Sequence, residues 1–464
     1  MSVSSSYGKY VIALIISIAF GWAFASSGVK LSLVFLLSPP LIPFLIYAFD
    51  KPTVLLYGVL ILAFLISLLS RYIPGIPFGL SVDAIFFLIA IILIFDQRVS
   101  LVKDHFSNPL ALALIGWIVF TFVEIANPIA PSKMAWLYAN RGLSFYPFFL
   151  VVLTPYLLKS ENHVRVFLII WASLSVLGTV WGMKQLFIGV SEVERAWLNA
   201  GAASTHILFG KLRVFSYFSD AAQFGANQAH TALVFGILAL FSGKFKYRLL
   251  VLAISVLSLY GMLISGTRGA LAILAAGGFA YFVMTKNFRV VIAGLVFAFC
   301  AFGFLKYTTL LQSNYQINRL RSALDTDDPS LRVRFEREAR LENYMSDKPI
   351  GGGIGSAGYW GKRFSPGTFL AELGTDGHYT RIWMETGKIG LYLYYLMLAV
   401  IALYLGKLLW NMPASFMRQI LVAFYCGFIG ICFASYTNGL LTQLPTGPLV
   451  FVGLALIVSR SKTT

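Results

Sequence analysis

The residues best equipped for chemistry close a long polar stretch: Asp376-Gly377-His378-Tyr379-Thr380-Arg381-Ile382-Trp383-Met384-Glu385-Thr386-Gly387. As a helix, this segment puts His378, Arg381 and Glu385 (i, i+3, i+7) on one face. A neutral imidazole there can take a proton from an attacking hydroxyl, and a nearby carboxylate can orient it. The competing reading is an interfacial His and Arg reaching for water from the end of an apolar helix.

Other polar motifs are spread along the chain. Ser265-Gly266-Thr267-Arg268-Gly269-Ala270 places a lone Arg in a glycine-flanked turn, where its planar fork suits a pair of phosphate oxygens or a lipid headgroup. Arg213 and Arg141 (in Asn140-Arg141-Gly142) invite the same two readings. Pro349-Ile350-Gly351-Gly352-Gly353-Ile354-Gly355 lacks the Lys-Ser/Thr of a P-loop and reads as a turn or a close backbone approach. Asp325-Thr326-Asp327-Asp328 could hold Mg²⁺, but capping ahead of Pro329 is the simpler account. Glu124 is either a buried polar contact or part of a site. Trp360 and Trp383, with Tyr359 and Tyr379, could stack on sugar faces or belong to an interfacial belt. The remaining histidines and the three cysteines show no ligand spacing, so neither a metal nor another cofactor is expected.

The elements that must position these residues follow from composition. Of 464 residues 58% are hydrophobic and 12% charged, about half the charge of a soluble domain. The chain reads as an all-α polytopic membrane protein, which excludes a secreted enzyme, a cytosolic two-domain enzyme and a disordered scaffold. Apolar runs give a bundle of about 14 transmembrane helices with a large, partly helical periplasmic loop. An N-terminal bundle over 1–305 runs from a first span at Tyr10–Ser26 and a second at Leu31–Phe49 to Val290–Leu305, with an outer loop near 187–223. The loop 306–387 carries His378, and 388–464 adds the spans Ile389–Leu408, Gln419–Ala434 and Thr446–Val458. Ala23-Phe24-Ala25 imitates a cleavage site, but the first run reads as an uncleaved span. Basic residues favour the segments that are cytoplasmic when the N-terminus is cytoplasmic, which supports the parity of the map. The net charge of +17 is therefore mostly topology and contact with anionic membrane lipids, and no nucleic-acid partner is needed. Within the long loop, Leu331–Met345 has apolar Leu331, Phe335 and Leu341 at helical spacing and is expected to be amphipathic.

Together these residues resemble the bacterial O-antigen ligase and O-antigen polymerase superfamily. The resemblance covers Arg213 to Tyr395 and rests on a bundle of many spans, the Ser-Gly-Thr-Arg-Gly turn, the late large loop, its Pro-Ile-Gly-Gly-Gly-Ile-Gly element, and His378 followed by Glu385-Thr386-Gly387 and Gly390. It implies a GT-C-like membrane glycosyltransferase, inverting and metal-independent, with a glycan on undecaprenyl pyrophosphate as donor. His378 would activate the acceptor hydroxyl, and Arg213 and Arg268 occupy the positions of the pyrophosphate-binding arginines. Many members follow that His with Asn, and Tyr379 stands here instead. The acceptor would be lipid A-core for a ligase or another lipid-linked glycan for a polymerase, and the span count leans towards the latter. The alternative from another class is a lipid-linked oligosaccharide flippase, which would place charges along a central pathway rather than at one face. The site would lie on the periplasmic side of the bacterial inner membrane.

Overall fold

In the computed structural model the described residues are 43–44, 46–95, 104–208, 210–241, 243–310, 315–322, 329–374 and 377–461. The first two expected spans (all but the end of Leu31–Phe49), the Asp325–Asp328 cluster and Asp376 lie outside them. Apart from a two-residue antiparallel pairing of Ile207–Leu208 with Lys211–Leu212, the described chain is helical. Among the described residues nine helices are long and apolar enough to cross a membrane. The chain is thus an all-α polytopic membrane protein.

Helix boundaries follow local chemistry. Asn108 and Ser160 cap the helices Pro109–Val123 and Glu161–Phe187 by accepting from Ala111 N and His163 N. Gly266, at φ 59°, ends the helix Phe245–Ser265 in the left-handed conformation that glycine adopts without strain. The expected span Leu143–Leu158 begins earlier: Lys133–Asn140 leads through a π-turn at Arg141–Phe145 into Tyr146–Leu157. Such turns carry one extra residue and often occur at functional sites. Val290–Leu305 lies within the helix Phe288–Tyr307. The last helix, Thr446–Ser461, is shorter than the other span candidates and is enclosed by neighbours over most of its length.

The helix Ala221–Phe241 is the central element, with 78% of its most apolar window buried, against 28% for the adjacent Phe245–Ser265. It buries Gln223, Asn227, Gln228, His230 and Thr231. Without water such groups need protein partners: Gln228 Nε2 donates to the Ser175 carbonyl and Trp171 Nε1 to Thr231 Oγ1, each at 2.9 Å.

The described residues of 306–387 contain the helices Tyr315–Arg321, Pro329–Met345, Gly358–Phe364 and Phe369–Glu372. A helix covers the expected stretch Leu331–Met345. Among its described side chains Leu341 and Met345 are buried and pack with Ala357, Leu370 and Met384, while Phe335, expected on the apolar face, is exposed.

The segment after Phe187 is also built. Glu194 sits inside it, accepting from Ser191 N, Trp181 Nε1, Gln185 Nε2 and Lys184 Nζ. Burial alone would raise this carboxyl, but the hydrogen bonds outweigh it and hold Glu194 below the usual carboxylate range. Burial pushes His206, in the same segment, down from its ordinary value.

Candidate active site

The His378 helix is assigned over His378–Asn411, which if straight would be about 51 Å long, well beyond a hydrocarbon core of about 30 Å. It is not straight. Gly387 has φ 68° and ψ −173°, a region open essentially to glycine alone. His378 and Tyr394 are 16 residues apart, about 24 Å along an unbroken helix, yet His378 Nε2 and Tyr394 Oη are 2.9 Å apart. The short helix before Gly387 therefore folds back along the start of the long one.

The glycine-rich element makes this break possible. The Gly352 N–H donates to the Met384 carbonyl at 2.9 Å, and Ile389 N–H donates to the Pro349 carbonyl at 3.3 Å. These bonds replace ones the break removes from the helix, so the turn stands in for the missing helical partners. The approach is close: a Cβ on Gly387 would lie 1.9 Å from the Pro349 oxygen, and one on Gly351 2.4 Å from the Gly387 nitrogen. The other side of the turn is tied to Glu124. This side chain is buried and accepts from Asn127 Nδ2 at 2.9 Å, and the same amide reaches the Ile350 carbonyl at 3.1 Å.

His378, Arg381 and Glu385 all line one cavity of about 270 Å³. His378 is 1% exposed, its backbone N–H donates to the Ser435 carbonyl, and its Nδ1 has no protein partner. The carboxylate expected to orient the imidazole is engaged elsewhere: Glu385 Oε1 pairs with Arg381 Nε at 2.9 Å. The group on the imidazole is instead the Tyr394 hydroxyl. Tyr379, where Asn was expected by resemblance, donates its hydroxyl to the Cys432 carbonyl and so fastens the short helix to Phe416–Ala434.

Another part of the lining comes from the π-turn. Arg141 lines the cavity and is ion-paired with Asp83, and Tyr146 Oη donates to the other Asp83 oxygen at 2.6 Å. Its guanidinium lies 4.8 Å from the Tyr138 ring centroid. Tyr138 stacks on Trp360 at 5.1 Å, and Tyr138, Tyr359 and Trp360 line the same cavity. Trp383 does not line this cavity; it packs against the Leu341 cluster.

Arg213 and Arg268 lie apart from this lining. Arg268 Nη1 donates to the carbonyl and hydroxyl of Ser322, at 3.2 Å each. Arg213 Nη1 donates to the Thr205 carbonyl. Both flank the first turn of Ala221–Phe241, since Thr267 Oγ1 donates to the Ala221 carbonyl and Ala221 N–H to His206 Nε2. Between them and His378 runs the loop 435–445. A Cβ on Gly269 would meet Thr437 Oγ1, one on Gly377 the Tyr436 carbonyl, and one on Gly142 the Thr442 carbonyl. Gln223 Nε2 donates to the Leu444 carbonyl. The same loop lends Thr442, Gln443 and Leu444 to the cavity.

Sequence reasoning missed Tyr394, Asp83, Tyr138 and this loop. Tyr394 and Tyr138 looked like ordinary aromatics of apolar helices. Asp83, an acid near the start of an apolar run, was the one available signal. Among the described residues no three His, Cys, Asp or Glu side chains gather closely enough to hold a metal ion.

A comparison with curated proteins gives no match. Residues 253–395, which carry Arg268, the glycine-rich turn, His378 and the Gly387 break, match the family model described as O-Antigen ligase.

Proposed function

We propose that the protein transfers a glycan from undecaprenyl pyrophosphate to an acceptor hydroxyl, with inversion and without a metal, at the periplasmic face of the bacterial inner membrane. The acceptor is a lipid A-core sugar or the end of another lipid-linked glycan. The observation that carries this reading is the shared cavity: a buried imidazole, an arginine and an aromatic shelf meet within one 270 Å³ space in a chain with an O-antigen ligase segment.

The chemistry balances within that space. The acceptor oxygen attacks C1 of the glycan, its proton passes to His378, and the C1–O bond breaks with the electron pair leaving on the pyrophosphate. The base contributes by raising the nucleophilicity of a hydroxyl that is otherwise too weak. Leaving-group charge is met by arginine: Arg141 from the cavity wall, with Arg213 and Arg268 gathering the lipid-borne phosphates across the loop 435–445. Arg381 and Glu385 shape the floor, and Trp360 with Tyr359 receives sugar rings.

Arg141 gives the test of this assignment. Arg141→Ala is expected to lower kcat by roughly 10²–10³ in release of the lipid pyrophosphate from a lipid-linked oligosaccharide, as for loss of one donor to a developing anion. Arg141→Lys should recover only part, because an ammonium cannot reproduce the fork. Full activity in Arg141→Ala would remove it from the pyrophosphate site.

A further inference from the structure

We propose that Tyr394 is the positioning residue for His378: its hydroxyl oxygen accepts the Nε2–H as the imidazole takes the acceptor's proton on Nδ1. The inference rests on the transferase reading above and adds a partner that the residue pattern around His378 does not contain.

Three observations carry it. His378 Nε2 lies 2.9 Å from Tyr394 Oη, and both residues are at most 2% exposed. Nδ1, by contrast, has no protein partner, on a side chain that lines the cavity. The carboxylates near the site are engaged: Glu385 with Arg381, Asp83 with Arg141 and Tyr146. The phenol oxygen is thus the group placed to accept a hydrogen bond from the ring's Nε2–H.

The direction of that bond follows from the reaction. In the resting pair either atom can donate. Once Nδ1 has gained a proton, Nε2 also carries one, and the pair survives only with the Tyr394 oxygen accepting. The imidazolium is a buried cation, and its unmet N–H would carry a full desolvation cost. Tyr394 therefore matters more in the transition state than in the ground state, which is the condition for raising kcat. The role parallels the acidic member of a Ser-His-Asp triad, which orients the ring without taking its proton. A neutral phenol is a weaker partner than a carboxylate. The Gly387 break is what delivers this contact, since no straight helix could bring residues 16 positions apart together.

The test uses the purified full-length protein and lipid-linked oligosaccharide. Tyr394→Phe should lower kcat roughly 10- to 100-fold, the value of a hydrogen bond to a charged group, with KM within about twofold. Combined with His378→Ala it should add nothing, because the two act as a unit. Wild-type kcat in Tyr394→Phe beside an inactive His378→Ala would overturn the proposal while leaving the transferase intact; so would a double variant slower than His378→Ala by the full Tyr394→Phe factor. An active His378→Ala would instead overturn the reading beneath it. If Tyr394→Phe does not fold, 3-fluorotyrosine at position 394 keeps the hydroxyl and the shape. Its poorer acceptor oxygen should lower kcat, and a rise would mean that the phenol donates.

Discussion

His378→Ala is expected to lower kcat by roughly 10²–10⁴ while leaving the fold and KM nearly unchanged. The fold should hold because the structural tie at this position is the backbone N–H to the Ser435 carbonyl, which alanine keeps. The imidazole fills a buried place, so a modest cavity follows and the contact with Tyr394 is lost, but the backbone bonds that hold the Gly387 break remain. On the proposed reading the imidazole acts on the proton rather than in holding the substrate, so the loss belongs to kcat. A correctly folded His378→Ala protein with wild-type turnover would end the base assignment. Thermal unfolding alongside the kinetics separates a dead enzyme from an unfolded one.

Gly387→Ala should do more damage, through the backbone. The conformation at φ 68°, ψ −173° is essentially closed to a residue with a Cβ, and that Cβ would lie 1.9 Å from the Pro349 oxygen. Strain and overpacking together put the cost on the order of 3 kcal/mol. Relief requires the chain to straighten or the glycine-rich turn to withdraw. Either movement separates His378 from Tyr394, so activity should fall to background together with stability. Gly58→Ala is the control: it lies inside the helix Thr53–Tyr72 with open space around it, and the change should stabilise by about 0.5–1 kcal/mol. Thermal unfolding of both variants measures the contrast. Equal stability of Gly387→Ala and wild type would mean that the break is not a fixed feature.

The legible and illegible parts of this molecule divide along physical lines. Apolar runs of membrane length declared the helices, and most expected spans from Thr53 onwards coincide with helices within a few residues. The helical face of His378, Arg381 and Glu385 was legible too, because a period of 3.6 survives in a nine-residue segment. The fold-back was not. Glu385-Thr386-Gly387 looks like the end of a polar stretch, and nothing in it states that Gly387 reverses the chain or that Pro349 replaces the helical partner. Tyr394 was hidden for the same reason, since its contact with His378 exists only because of the break. Arg141 was visible as a cation in a short outer loop beside an apolar run, but its π-turn was not, nor was the Asp83 that holds it. The loop 435–445 was read as a connection between the last two spans. Its carbonyls meet Gly142, Gly377 and Gln223, so its role lies in backbone groups that side-chain patterns cannot reveal.

The measurement that bears most directly on the proposed transfer is the release of undecaprenyl pyrophosphate from a lipid-linked oligosaccharide. It would use purified wild-type protein in EDTA, with acceptor glycan present and glycan transfer followed in the same samples. The account predicts release that persists in EDTA and matches the glycan gained by the acceptor mole for mole. Release abolished by EDTA would contradict the metal-free mechanism. No release, with the lipid-linked oligosaccharide crossing vesicles that contain the protein, would contradict the transferase itself and make the chain a transporter.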